Sequence, residues 1–237
     1  MQAVILAGGL GTRLGDLTLA TPKGMLPFAG RPFLYHVVQL LTNQDIRDLV
    51  ICIGYLGEQV RDYFGDGQEM GVKIRYSDEG KNLLGTGGAL KKALSLLDNR
   101  FLVLNGDTYL PIDYREVEKE CLRAGCKSMV VVYNNKMDTR VKNNIALDNN
   151  NMVVRYEKKG ASPGLDYVDA GVVMIGKEAL DYVPEGNPIS LEDGIYRPLI
   201  EKRELAAFIT GQRFYDIGTP EQRSDFEKMV RERRADG

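Results

Sequence analysis

The amino-acid sequence predicts an α/β fold: three layers, α/β/α, around a mostly parallel mixed sheet. Two observations carry that expectation, and a third, the glycine content, bears on the backbone. Short apolar runs alternate with segments whose apolar residues recur at helical spacing, the pattern of βαβ units. The runs are apolar without alternation, as strands covered on both faces are. Glycine supplies 26 of the 237 residues, above the usual ~7%, as a chain needs where side chains would obstruct the backbone.

The elements follow in order. Residues 2–7 (QAVILA), closed by Gly8-Gly9, read as a buried strand. Pro32 opens a helix whose one face carries Phe33, Leu34, Val37, Val38, Leu40 and Leu41. Residues 49–53 and 72–76 read as strands around a short helix at 58–64, and 101–104 as a fourth strand after a helical pattern at 89–97. Asp113 with Glu116 resembles a capping box for a helix reaching Ala124. Beyond Ser128 the texture changes. Residues 129–133, 145–147 and 152–156 are strand candidates, the last two joined by the turn cluster Asp148-Asn149-Asn150-Asn151, so hairpins are expected to mix into the sheet. Ser190 and Thr219-Pro220 each start a helix, the second with Gln222 as capping partner, and the final RERRADG is expected to fray. With no repeat or linker, one domain over 1–237 is expected.

Composition excludes several classes. Lys and Arg total 31 against 33 Asp and Glu, a net charge of −2, without the basic excess of a nucleic-acid binder. No apolar run approaches the ~20 residues of a membrane span, and no signal peptide opens the chain, so a cytoplasmic protein without a membrane partner is expected. Cys52, Cys121 and Cys126 form no C-x-x-C pattern and read as reduced thiols. The single histidine, His36, removes any two-histidine zinc site, makes a Ser-His-Asp mechanism unexpected, and reads as a packed residue.

The chemistry sits in a few constellations. Gly8-Gly9-Leu10-Gly11-Thr12-Arg13-Leu14 follows the first strand, and its glycines let backbone N–H groups approach a phosphate. It is no Rossmann fingerprint, because Leu14 stands where the third glycine belongs, and no P-loop, because Lys23-Gly24 runs in reverse order. Two cations, Arg13 and Lys23, accompany the loop and suit a polyphosphate gaining charge in a transition state. By itself the loop is equally a glycine-rich turn beside solvated cations. Asn105-Gly106-Asp107 closes the fourth strand, where open α/β sheets bind ligands, and a carboxylate there suits Mg²⁺.

These motifs, with Pro22-Lys23-Gly24-Met25-Leu26-Pro27 and Leu84-Gly85-Thr86-Gly87-Gly88-Ala89, resemble the signature of the sugar-1-phosphate nucleotidyltransferases. Compact members such as the heptose-1-phosphate guanylyltransferases are most similar in length. The resemblance implies a GT-A-like fold, with a nucleotide-binding part over about 1–127 and a sugar-binding part over about 128–237. It implies nucleotide contacts from Leu6, Ala7, Gly8, Gly9, Gly11, Thr12, Gly85 and Thr86, and catalytic roles for Arg13 and Lys23. Mg²⁺ would be held by Asp107 and by Asp216 of Tyr215-Asp216-Ile217-Gly218. The sugar would meet Gly106, the Glu157-Lys158 pair, and Asp169 and Gly171 of a small-residue strand. The implied reaction joins an NTP and a sugar 1-phosphate, with GTP and a manno-heptose or mannose-like acceptor as the leading pair, in a monomer or homodimer.

Three departures from the family pattern lie on the sugar side. Arg140-Val141-Lys142-Asn143-Asn144 stands where many members have Tyr-Gly, Asp169 where asparagine is common, and Lys159-Gly160 where proline often follows Glu-Lys. They keep open a non-sugar acceptor such as phosphocholine or an alditol phosphate. A non-catalytic nucleotide-binding module is the third reading, opposed by the intact Arg13, Lys23, Asp107 and Asp216.

Overall fold

A computed structural model describes residues 1–160 and 162–235, the side chains of Thr12, Arg13, Arg234 and Ala235 excepted. The strands are β1 (Gln2–Leu6), β2 (Asp48–Ile53), β3 (Lys73–Asp78), β4 (Arg100–Asn105), β5 (Ser128–Tyr133), β6 (Ile145–Leu147), β7 (Val153–Tyr156), β8 (Val168–Gly176) and β9 (Leu205–Thr210). Seven of them form one sheet in the order β9-β5-β8-β4-β1-β2-β3. Only β8 runs against its neighbours, pairing antiparallel with β4 and β5, while the other pairings are parallel. The expected mostly parallel mixed sheet is the one observed.

Both faces of that sheet are covered, which is why its strands are apolar throughout. Ala3 and Ile5 of β1 join one core cluster and Val4 joins the other. The first cluster packs α1 (Phe33–Thr42), α2 (Gly57–Phe64), α4 (Tyr114–Ala124) and α6 (Pro220–Ala235) against the sheet. The second packs α3 (Gly85–Lys92) and α5 (Arg197–Glu201) on the opposite face. Phe226 anchors α6: it is fully buried, with the rings of Phe28 and Phe33 at 5.0 and 4.7 Å. His36 is packed as expected, its Nε2 3.0 Å from the Phe28 carbonyl. Among the described residues no helix is long and apolar enough to cross a membrane.

The structure corrects several local expectations. α3 begins at Gly85 rather than 89, because the Gly87 and Gly88 N–H groups donate to the Ile189 carbonyl and so satisfy the first turn from another segment. It stops at Lys92, and a separate 3₁₀ turn spans Leu94–Leu96. The β6–β7 hairpin stays a separate two-stranded sheet, touching the β9 edge through an isolated Met152–Ala206 bridge. β9, the apolar run Leu205–Thr210, is a strand the sequence reading did not include. Asp113 caps α4 by accepting from Arg115 N, but Glu116 turns to Lys119 at 2.6 Å instead of closing the box. Thr219 accepts from Gln222 N at 3.3 Å, while Gln222 Oε1 is buried without a partner. The terminal segment expected to fray continues α6 to Ala235.

Candidate active site

The C-terminal ends of β1, β2 and β4 open into a cleft of about 380 Å³. Its floor is backbone. Beyond β1, Leu6, Ala7, Gly8, Gly9 and Gly11 line it, and Gly106 closes onto the same strand by donating its N–H to the Leu6 carbonyl at 2.9 Å. A Cβ on Gly106 would fall 2.5 Å from that oxygen, so only glycine lets β1 and β4 meet here. Gly11 has φ +64, and a Cβ there would meet Thr18 at 2.9 Å. The α2 side pins the far end of this loop, with Tyr55 Oη donating to the Leu19 carbonyl at 2.7 Å. The side chains of Thr12 and Arg13 lie outside the described residues.

Lys23 and the two aspartates meet at one point. Lys23 Nζ lies 2.6 Å from Asp107 Oδ2 and 3.7 Å from Asp216 Oδ1, with only 11% of its side chain exposed. Asp107 and Asp216 are far apart in sequence, and a short antiparallel pairing of Thr108–Tyr109 with Tyr215–Asp216 brings them together. Ile217 N donates to the Asp107 carbonyl at 3.2 Å and tightens the join. Gly218 N donates to Asp216 Oδ1, and a Cβ on Gly218 would fall 2.8 Å from that oxygen. Two hard carboxylates thus face one cation position, held by the lysine ammonium. Magnesium is commonly bound through one or two carboxylates plus phosphate oxygens and water, so this donor set fits it. Among the described residues no three His, Cys, Asp or Glu side chains form a larger cage.

The glycine-rich Leu84–Ala89 segment lines the opposite wall through Gly85, Thr86 and Ala89. Its glycines answer first to the protein itself. Gly85, at φ +71, would place a Cβ 2.5 Å from the Ile189 carbonyl, and Gly87 one 2.8 Å from that of Ser190. Thr86 Oγ1 accepts from Leu191 N at 2.7 Å. Residues 189–192 are thereby strapped over the cleft.

The far end of the cleft is built from side chains. Lys158, Asp169, Gly171, Glu192 and Tyr196 line it, whereas Glu157 is absent from the lining and its Oε1 lies 3.7 Å from Arg155 Nε. Desolvation, strengthened by the Glu192 charge, pushes the Asp169 carboxyl up to about 7. Burial raises the Tyr196 and Tyr156 phenols far above their ordinary value.

Sequence reading missed Glu79, Glu192 and Tyr196. Glu79 lines the cleft beside Gly8, its Oε2 accepting from Leu84 N at 2.5 Å and its Oε1 2.9 Å from where a Gly8 Cβ would be. Burial raises its carboxyl and the Leu84 bond partly restores it. Glu192 and Tyr196 stand four apart on a π-helical turn (Glu192–Tyr196) that Ser190 opens by accepting from Asp193 N at 3.1 Å. Their signal in the sequence was that Ser190 helix start, followed by an acid and an aromatic at helical spacing.

Comparison with known proteins places the chain among nucleotidyl transferases. The nucleotidyl transferase family profile matches residues 2–232. The chain is 34% identical to the D-glycero-alpha-D-manno-heptose 1-phosphate guanylyltransferase of Campylobacter jejuni, over 93% of this chain and 96% of that one. It is 30% identical to the mannose-1-phosphate guanylyltransferase of Mycobacterium tuberculosis, over 93% of this chain and 62% of that longer protein. The structure of HddC from Yersinia pseudotuberculosis, solved with GMP-PN, superposes with a TM-score of 0.82 at 28% identity, covering 97% of this chain and 99% of that one.

Proposed function

The chain belongs to the nucleotidyl transferase family, and from that premise we propose that it joins GTP to a mannose-like or manno-heptose 1-phosphate, releasing pyrophosphate. A phosphate oxygen of the sugar 1-phosphate attacks the α-phosphorus in line, and the bond to the β-phosphate oxygen breaks. The attacking phosphate is already ionised near neutral pH, so no general base is needed. The catalytic work is positioning and charge neutralisation.

The backbone floor from Leu6 to Gly11, with Thr12, cradles the triphosphate, and Gly85 and Thr86 border the base and ribose. Arg13 serves the departing pyrophosphate. Lys23 stands beside Asp107 and Asp216, the residues that would hold Mg²⁺. Bound there, the ion would neutralise phosphate charge. Lys158 receives the acceptor's phosphate, with Gly106, Asp169 and Gly171 around the sugar. Glu157, beside Lys158, accepts hydroxyl groups of the sugar.

The convergence of Asp107 and Asp216 on one cation position carries the enzymatic reading, since a binding module needs no such pair. Guanine is favoured by Glu79, whose carboxyl oxygens on the cleft wall can accept hydrogen bonds. Guanine offers two adjacent N–H donors where adenine offers an acceptor. The reading includes a cytoplasmic monomer or homodimer with neither nucleic acid nor membrane as partner, the oligomeric part of which light scattering tests. A matrix of four NTPs against mannose 1-phosphate, manno-heptose 1-phosphate, phosphocholine and an alditol phosphate, read as pyrophosphate, tests the reaction. The largest release is expected from GTP with a manno-configured acceptor. Preference for phosphocholine or the alditol phosphate would overturn the acceptor class.

A further inference from the structure

Two helical starts in the cleft wall are stitched to each other. The leading N–H groups of a helix have no partner within it. Those of Gly87 and Gly88, in the first turn of α3, donate to the Ile189 carbonyl at 3.0 and 3.3 Å. In return Leu191 N, at the head of the π turn, donates to Thr86 Oγ1 at 2.7 Å. Ile189 N adds a bond to the Leu84 carbonyl at 2.8 Å. Residues 184–188, which lead into this strap, are exposed, so these bonds and the buried Leu191 side chain hold it in place.

The strap delivers one acid to the acceptor end. Glu192 follows Leu191 directly and lines the cleft, with its Oε2 3.7 Å from Lys158 Nζ. That oxygen is buried and has no hydrogen-bond partner. Asp193 turns away, accepting from Ser190 Oγ at 2.8 Å and facing Arg197 at 3.6 Å. The Lys158 side chain is largely exposed, and a free lysine loses rotamer entropy when a ligand fixes it. A carboxylate held by backbone bonds narrows its range before the acceptor arrives.

Resting on the nucleotidyltransferase reading, we propose that Thr86 is a positioning residue for the acceptor: its hydroxyl, on the nucleotide wall, fixes Leu191 and so sets Glu192 beside Lys158. Thr86 thereby serves the acceptor from a place that borders the nucleotide. The role needs an oxygen at that position. Serine keeps it, whereas valine keeps the shape of threonine and loses the hydrogen-bond acceptor. Its loss leaves the N–H of a buried residue unpaired, a cost that a displaced strap relieves. Glu192 then moves with the strap, and Lys158 loses its neighbour.

The test measures KM for the preferred NTP and the preferred acceptor of the substrate matrix above, with amide hydrogen exchange at Leu191 followed in parallel. The proteins are the wild type, Thr86→Val, Thr86→Ser, Glu192→Ala and the double variant Thr86→Val/Glu192→Ala. Thr86→Val should raise KM for the acceptor roughly fivefold, change KM for the NTP less than ~twofold, and speed exchange at Leu191 roughly fivefold or more. Thr86→Ser should restore wild-type values. With Glu192 gone, Thr86→Val should raise the acceptor KM no further. Should Thr86→Val fail to fold, Thr86→Ala loses the same oxygen without crowding and should show the same split. An unchanged acceptor KM, an NTP KM that rises as much, additive effects of Thr86→Val and Glu192→Ala, or unchanged exchange at Leu191 overturns the positioning role. A matrix with no pyrophosphate from any pair overturns the nucleotidyltransferase reading instead, while exchange at Leu191 still reports on the strap.

Discussion

The two ends of the cleft are built from different materials. At the end proposed for the nucleotide the surface is largely backbone: Gly85 and Gly106 bring main chain to main chain, and a methyl group there would fall 2.5 Å from a carbonyl oxygen. At the end proposed for the acceptor the surface is side chains, with Lys158, Asp169, Glu192 and Tyr196 converging from separate stretches of sequence. A backbone-built site leaves little room for an added atom where main chains meet. A side-chain-built site can be retuned one residue at a time. The three departures from the family pattern, at 140–144, Asp169 and Lys159-Gly160, all fall at or beside the acceptor end.

Mutations should separate the two materials. The largest effect is expected where they meet, at Asp107 and Asp216. Asp107→Asn and Asp216→Asn should each lower kcat on the order of 10³-fold or more while leaving the fold intact. The double variant should be little worse than either single one, because each loss disables the same site. Near-normal turnover of Asp216→Asn at saturating Mg²⁺ would separate the two aspartates again.

Next comes a pH effect confined to the acceptor end. The Asp169 carboxyl is raised in the fold to about 7 from the ordinary aspartate value. Its contribution is thus fully present in acid and is lost as pH rises between those two values. Asp169→Asn should be the more stable protein above pH ~7 by on the order of 2–4 kcal/mol, with the advantage vanishing near pH ~4. Parallel melting curves across that range check it, and a constant offset would remove the titration from the explanation.

At the nucleotide end the corresponding probe is Gly85→Ala. It combines a left-handed φ with a Cβ 2.5 Å from the Ile189 carbonyl, so about 2 kcal/mol or more of stability should be lost. The strap at 189–192 should loosen, and KM for the NTP should rise. Unchanged melting would mean that the strap can move aside. The smallest effect is expected from Lys158→Ala, whose side chain is 69% exposed. It should raise KM for the acceptor roughly tenfold and leave that for the NTP nearly unchanged, by loss of one charge-assisted contact. Equal weakening of both substrates would place Lys158 between them.

How much was legible follows the same division. The phosphate loop, the Asn105-Gly106-Asp107 turn and the Leu84–Ala89 segment could be read because each is contiguous, and glycine at fixed positions has few other causes. Even there the cause was only partly visible: Gly85 and Gly87 make room for residues 189 and 190, which no local pattern announces. Glu79, Glu192 and Tyr196 escaped because an isolated acid or tyrosine in a polar stretch looks like surface. Glu157 entered the expected site by resemblance to the family's Glu-Lys pair, and the chain turns right after it, with Gly160 N donating to the Glu157 carbonyl at 2.9 Å.

The sequence by itself determined the layered α/β class, since continuous apolar runs can be buried only in a sheet covered on both faces. It also determined the floor of the cleft, since a site made of backbone leaves glycines as its record. Only the tertiary structure decided which carboxylates face one another. Asp107 meets Asp216 through two short strands, and Asp169 and Glu192 reach the same cleft from a bulge and a π turn. Those encounters rest on long-range pairing, whose partners are chosen by the whole core rather than by any segment that takes part in them.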